Sequence, residues 1–325
     1  MPKPHRYAII FAFAVLYISW GTTYLAIKLG LQDLPPLLFA GTRLAAAGLI
    51  LLIGLCLFGQ SIRVDRQRLR FIALTGFFFF MGGNGFLTYA QTMVASGMAA
   101  VLVSPTPLYF ALMEWLTPAG ERLTRRGWLG LALGLCGVVL LLLPKAETGS
   151  HFLLGFVLAT TSSISWAFGG LLVRHKLPRT SPFVVAGYQM LIGGAGLTIA
   201  GLVVGEAALV KPAIFTQQAV TAFFYLLVVG SLGGFVAYNF LLAHVSPALV
   251  STHAYVNPMV ALLVGWLWLG EPITPVTLGS MSIILTGVAL LRAGGVRKPP
   301  EDVPSIPRHS GVHLTAPSVD AACKR

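Results

Sequence analysis

A chain of 325 residues with 56% hydrophobic side chains and only 10% charged ones cannot clothe itself as a water-soluble globule, which carries about 25% charged residues. The net charge of +12 comes from Lys and Arg scattered over short connections, which excludes the single basic face a nucleic-acid reader needs, so no nucleic acid is expected as a partner. Cys56, Cys136 and Cys323 are too far apart for a disulfide framework or a metal spacing, and no cofactor or metal is expected.

Mean hydropathy is +0.82, and the apolar residues come in long runs, so the expected environment is the lipid bilayer. A bilayer core takes roughly 20 apolar residues per helix. On that scale the sequence predicts ten transmembrane helices, at 7–28, 37–58, 71–91, 97–116, 127–143, 152–173, 182–204, 219–242, 247–269 and 274–292. The first run follows Lys3 and Arg6 as a signal peptide would, but it is too long for one and is read as an uncleaved span.

In span one, Trp20, Thr23 and Tyr24 follow i, i+3, i+4 spacing and share a face. Arg43 is the one basic residue well inside a span, roughly 9 Å from the start of span two at 1.5 Å per residue. A charge at that depth is a functional candidate, with snorkelling to the interface as the alternative. Asn84, Thr88 and Gln91 line up on one face of span three. Span four carries Thr106 and Pro107, and Glu114 near its end is read as interfacial. In span five, Gly130 and Gly134 invite close helix approach, either within one protomer or in a homodimer. Trp166 lies in span six, Gln189 replaces Arg43 at the equivalent place in span seven, and span nine carries His253, Asn257 and Pro258. Pro107 and Pro258 are expected to break their helices at mid-depth and line a solute path, beside Thr106 and Asn257. Glu121 and Glu271 are expected to shape the turns into helices five and ten. Residues 293–325, rich in proline, are read as a disordered cytoplasmic tail.

The basic residues also orient the chain. Arg63, Arg66, Arg68, Arg70, Arg122, Arg125, Arg126, Arg174, Lys176 and Arg179 fall in alternate connections, whereas the opposite ones hold Lys28, Lys145 and Lys211. The positive-inside rule then puts both termini in the cytoplasm.

A repeat runs through these spans. "ISWGTTYL" at 18–25 returns as "ISWAFGGL" at 164–171, "GERLT" at 120–124 as "GEPIT" at 270–274, and "GVVLL" at 137–141 as "GVALL" at 287–291. The half-units are 7–143 and 152–292. Five spans per copy make the second copy inverted, the arrangement that suits alternating access. Trp20 and Trp166, at equivalent positions, are expected as opposing walls of a solute cavity.

Together with "PPLLFAGTRLAAAG" (35–48), "GNG" (83–85) and "VSPALVSTHAYVNP" (245–258), the repeated stretches resemble the EamA-type transporters of the drug/metabolite transporter superfamily. The resemblance covers about residues 7–292. It implies an all-α membrane protein of ten helices in two inverted repeats, a shared central cavity, and export of small metabolites or amino acids across a bacterial inner membrane. From the residues themselves, aromatics and amides would recognise a small amphipathic substrate. Proton coupling stays open, with His253, His244 and Glu114 as the groups that could serve it. An intramembrane enzyme is disfavoured, because no hydrolase, zincin or phosphate-loop motif occurs. A channel lacks a recognisable filter.

Overall fold

The computed structural model describes residues 6–117, 122–140, 150–176, 181–245, 250, 253–293 and 296–297. The described backbone is almost wholly helical: α1 (Arg6–Gly30), α2 (Pro36–Leu57), α3 (Arg66–Ala90), α4 (Ser96–Leu116), α5 (Arg125–Leu140), α6 (Ser150–Lys176), α7 (Pro182–Val203), α8 (Gln217–Leu241, continuing to His244), α9 (His253–Leu269) and α10 (Pro275–Arg292). Eight of these are long and apolar enough to cross a membrane, and α9 contains a shorter apolar stretch, Val256–Leu269. The described part of α5 spans 16 residues. Large apolar side chains such as Leu57, Phe58, Val203 and Trp268 lie exposed on the outer surface, where lipid rather than water would cover them.

Local chemistry sets the helix ends. α3 starts before its apolar run because the Asp65 side chain accepts from the Arg68 N–H and pairs with its guanidinium at 2.9 Å, an N-cap the apolar pattern does not register. Pro36, Pro182 and Pro275 sit in first turns, where no backbone N–H is needed.

Helices in a bilayer gain nothing from the hydrophobic effect by pairing, so close backbone approach has to hold them. α2 meets α7 through Gly41, Gly48, Gly187 and Gly194. A Cβ on Gly48 would sit on the Leu191 amide and the Gly187 carbonyl. α5 meets α10 in the same way, with Gly130 and Gly134 against Gly287. The glycine pair in α5 is therefore spent inside the chain and leaves no face of its own for a second copy.

Three helices depart from regular α geometry. α3 and α8 each contain a stretch of wide i→i+5 turns, at Phe77–Gly85 and Leu226–Gly233, a rare geometry that recurs at functional sites. α4 is broken, but at Ser104-Pro105 and not at Pro107, which lies in the first turn of the second half, Thr106–Leu116. α9 runs on through Pro258 from His253 to Leu269. The expected pair of mid-depth breaks is thus a single break, because only α4 has two prolines within three residues.

Arg122–Leu123 pairs antiparallel with Val296–Arg297, tying the start of α5 to the segment after α10. That segment was expected to open the disordered tail, and its first residues are instead in a strand pair. Residues 298–325 and Glu121 lie outside the described residues.

A cavity between the repeats

The two wide turns border a cavity of about 790 Å³. Side chains of neighbouring helices donate to some of their carbonyls. Ser162 and Ser165 of α6 donate to the carbonyls of Gly83 and Phe78, each at 2.7 Å. On the other side the Trp20 indole donates to the carbonyl of Gly230 at 3.2 Å. The α4 break is satisfied alike. Pro107 frees the carbonyl of Val103, which accepts from Thr106 Oγ1 at 2.6 Å and from Ser163 Oγ at 3.3 Å.

Arg43 is buried at 3% exposure, so it does not snorkel. Its Nη1 donates to Ser231 Oγ at 2.9 Å and its Nη2 to Asn84 Oδ1 at 3.2 Å. One acceptor comes from each wide turn. Nε has no hydrogen-bond partner, and no carboxylate pairs with this guanidinium among the described residues.

Beside it lies an aromatic wall. Trp20 and Trp166 touch edge to face with ring centres 6.0 Å apart. They are not opposing walls in this state, because equivalent faces of inverted repeats meet where the repeats meet. Tyr238 and His253 pack on Trp20 at 5.1 and 5.2 Å, and Phe79 packs on Trp166 at 4.9 Å.

Of the residues singled out from sequence, Trp20, Thr23, Tyr24, Arg43, Asn84 and Thr106 line this cavity, as do Pro107, Trp166, Gln189, His253, Asn257 and Pro258. Asn257 Oδ1 is buried without a partner, whereas Gln189 donates to Thr75 Oγ1 at 2.7 Å. Thr88 and Gln91 are buried off the cavity. Thr88 reaches Asn84 at 3.5 Å, and the backbone carbonyl of Gln91 accepts from Lys28 Nζ at 2.7 Å. Glu114, read as interfacial, is instead buried and borders the cavity. Ser231, Phe79 and Tyr238 went unnoticed in the sequence. Tyr238 had a signal, since Gly234-Phe235-Val236-Ala237-Tyr238 in the second repeat matches Gly85-Phe86-Leu87-Thr88-Tyr89 in the first. Among the described residues no cluster of His, Cys, Asp and Glu could hold a metal.

Hydrogen bonds tie the helices together at the end where α1 finishes. There Lys28 Nζ clasps the carbonyls of Gln91 and Val94, Thr22 meets Tyr225 at 2.5 Å, and Thr216 donates to Asp33 at 2.6 Å. Two carboxylates cap helices at the same end. Glu206 accepts from the N–H groups of Leu37 and Leu38, and Glu271 from those of Ser96 and Gly97. Glu271 thus secures the start of α4 and not the turn into its own helix, because four orphan N–H groups at a helix start attract an anion. Toward the opposite end the lining reaches the terminal turns of the helices, the last of α4, α6 and α10 at Glu114, Val173 and Arg292 and the first of α7 at Val185.

The EamA-like transporter family matches the chain twice, over residues 7–143 and 153–293. The chain belongs to that family. It is 35% identical over 284 residues to the uncharacterized inner membrane transporter YedA of Escherichia coli, covering 87% of this chain and 90% of YedA. It is 26% identical over 287 residues to a probable amino-acid metabolite efflux pump of Salmonella typhimurium, covering 86% of this chain and 92% of the pump. A solved crystal structure is similar over 90% of this chain and 98% of its own, at 18% identity and a TM-score of 0.64, a likeness of fold. This EamA-like chain is therefore a multi-pass membrane transporter.

Proposed function

We propose that this transporter is a secondary carrier, moving a small amphipathic metabolite or amino acid out of the cell by alternating access. The halves, 7–143 and 152–292, would supply ten spans with both termini cytoplasmic. The observation that carries this reading is the cavity between the repeats, whose helices are clasped at the α1 C-terminal end while its lining runs to the terminal turns at the other. In an inverted pair, exchanging the conformations of the halves moves the opening to the opposite face. A continuous pore would need no such clasp. Any proton coupling would act through His253 or Glu114, which border the cavity.

Orientation is tested with single cysteines in a protein freed of its native ones. Ser61→Cys should react only from the cytoplasm and Val210→Cys only from outside. Reaction of both from one side would sink the topology. Alternating access is tested with Ala100→Cys, near the clasped end, and Ala111→Cys, toward the other. A carrier exposes the first to the outside and the second to the cytoplasm, in exclusive states. Simultaneous reaction of both in every molecule would indicate a channel.

A further inference from the structure

Resting on that reading, we propose that the carrier's substrate bears a carboxylate, that Arg43 binds it, and that an apolar body of about ring size lies against the Trp20–Trp166 wall. A guanidinium has five N–H donors and can never shed its charge in a protein. Here two neutral acceptors, Ser231 Oγ and Asn84 Oδ1, hold it, and Nε stays bare. A buried cation without a counter-ion is costly, and such a charge inside a membrane protein marks a substrate site by default. The guanidinium's remaining N–H donors suit an anion with two acceptor oxygens.

The charge balance selects a monoanion. Lys28 is engaged by the carbonyls of Gln91 and Val94, and Arg292 lies at the last turn of α10. Arg43 is thus the one cation of the lining that sits with both wide turns. One guanidinium with a hydroxyl and an amide beside it suits a carboxylate, whereas a phosphate dianion would call for a second cation. The apolar half of the ligand follows from adjacency in the chain. Ser231, which holds Arg43, follows Gly230, whose carbonyl takes the Trp20 indole. Asn84, which holds the other side, follows Gly83, where a Cβ would sit 2.9 Å from the Trp166 ring. Each wide turn therefore joins the charged point to the aromatic wall, and a volume of about 790 Å³ accommodates a ring-sized acid with room to spare.

The test uses the purified full chain in detergent with three probes of one shape: 3-phenylpropionate, its uncharged amide, and the zwitterion L-phenylalanine. Binding is read by titration calorimetry. The wild type should bind at least one of the two carboxylates about tenfold or more tighter than the amide, as a charge-assisted bidentate contact provides. Which of them binds separates simple organic acids from amino acids. Arg43→Gln should abolish the discrimination while leaving amide binding in place, and Arg43→Lys should restore part of it. Equal binding of acid and amide by the wild type, binding of neither acid, or discrimination that survives in Arg43→Gln would each overturn the proposal. The wild-type comparison stands even if the variant does not fold. Should Ala100→Cys and Ala111→Cys still show exclusive exposure while discrimination is absent, the substrate class falls and the carrier reading survives.

Discussion

The third helix of each repeat widens at equivalent places, yet the two wide turns are fastened by different chemistry. On α3 two small hydroxyls of α6 do it, Ser162 and Ser165. On α8 one indole does it, that of Trp20 on α1. The sequence equivalent of Ser165 is Ser19, whose hydroxyl donates to Leu16 of its own helix and only packs against Gly234 of α8. Space differs in degree, since a Cβ on Gly82 would strike Ser165, whereas one on Gly234 would strike Trp20 first and Ser19 next. Duplication has kept the backbone weakness and let its support diverge. The α8 turn is thereby tied to the aromatic wall, because its one fastener is part of that wall, whereas of the two serines on α3 Ser162 lines the cavity and Ser165 lies off it.

That contrast can be broken by substitution. Trp20→Ala should have the largest effect, a loss of about 3 kcal/mol, the low end of the range for a large ring because Trp20 is only partly buried, read as a lowered unfolding midpoint in detergent. Trp20→Phe keeps most of the ring and should cost only about 1 kcal/mol for the lost N–H. If the two variants unfold alike, the hydrogen bond to Gly230 is the main support and the ring's packing is incidental.

Lys28→Met removes two charge-assisted bonds at the clasp, at about 1.5–3 kcal/mol for hydrogen bonds to a charged group. It should raise the rate at which Ala100→Cys reacts from outside. An unchanged rate would transfer the closure to the Thr22–Tyr225 and Asp33–Thr216 contacts.

Glu271→Gln and Glu206→Gln compare the two capped helix starts, each costing about 1 kcal/mol. Glu271 should cost more, since it holds Ser96 Oγ at 2.8 Å besides two backbone N–H groups. The order of the two unfolding midpoints checks this.

The smallest effect belongs to Ser165→Ala, about 0.6 kcal/mol for one interhelical bond in a membrane protein. A cost equal to that of Trp20→Ala would erase the asymmetry between the turns.

Much of the site could be read from residue type and spacing, because a polar side chain on an apolar helix is conspicuous. Arg43, Asn84, Thr106 and Asn257 stood out on that ground, and all four border the cavity. Thr88 and Gln91 share a helical face with Asn84, yet α3 has wide turns through Asn84, so a stripe drawn at 3.6 residues per turn does not carry over to its last turn. Ser231 was hidden because a serine among glycines looks like packing. Glu114 was misplaced because nearness to a helix end says nothing about which way the helix faces.

Composition and periodicity by themselves determined the solvent, the helices and the repeat, since each is a property of neighbouring residues or of self-similarity along the chain. Tertiary structure alone decided that Arg43 meets Ser231, 188 positions away, that Trp20 touches Trp166, and that Glu271 caps α4. Such meetings depend on how helices with similar apolar faces choose one another. That choice is made by glycine contacts and stray carbonyls, whose partners no local pattern records.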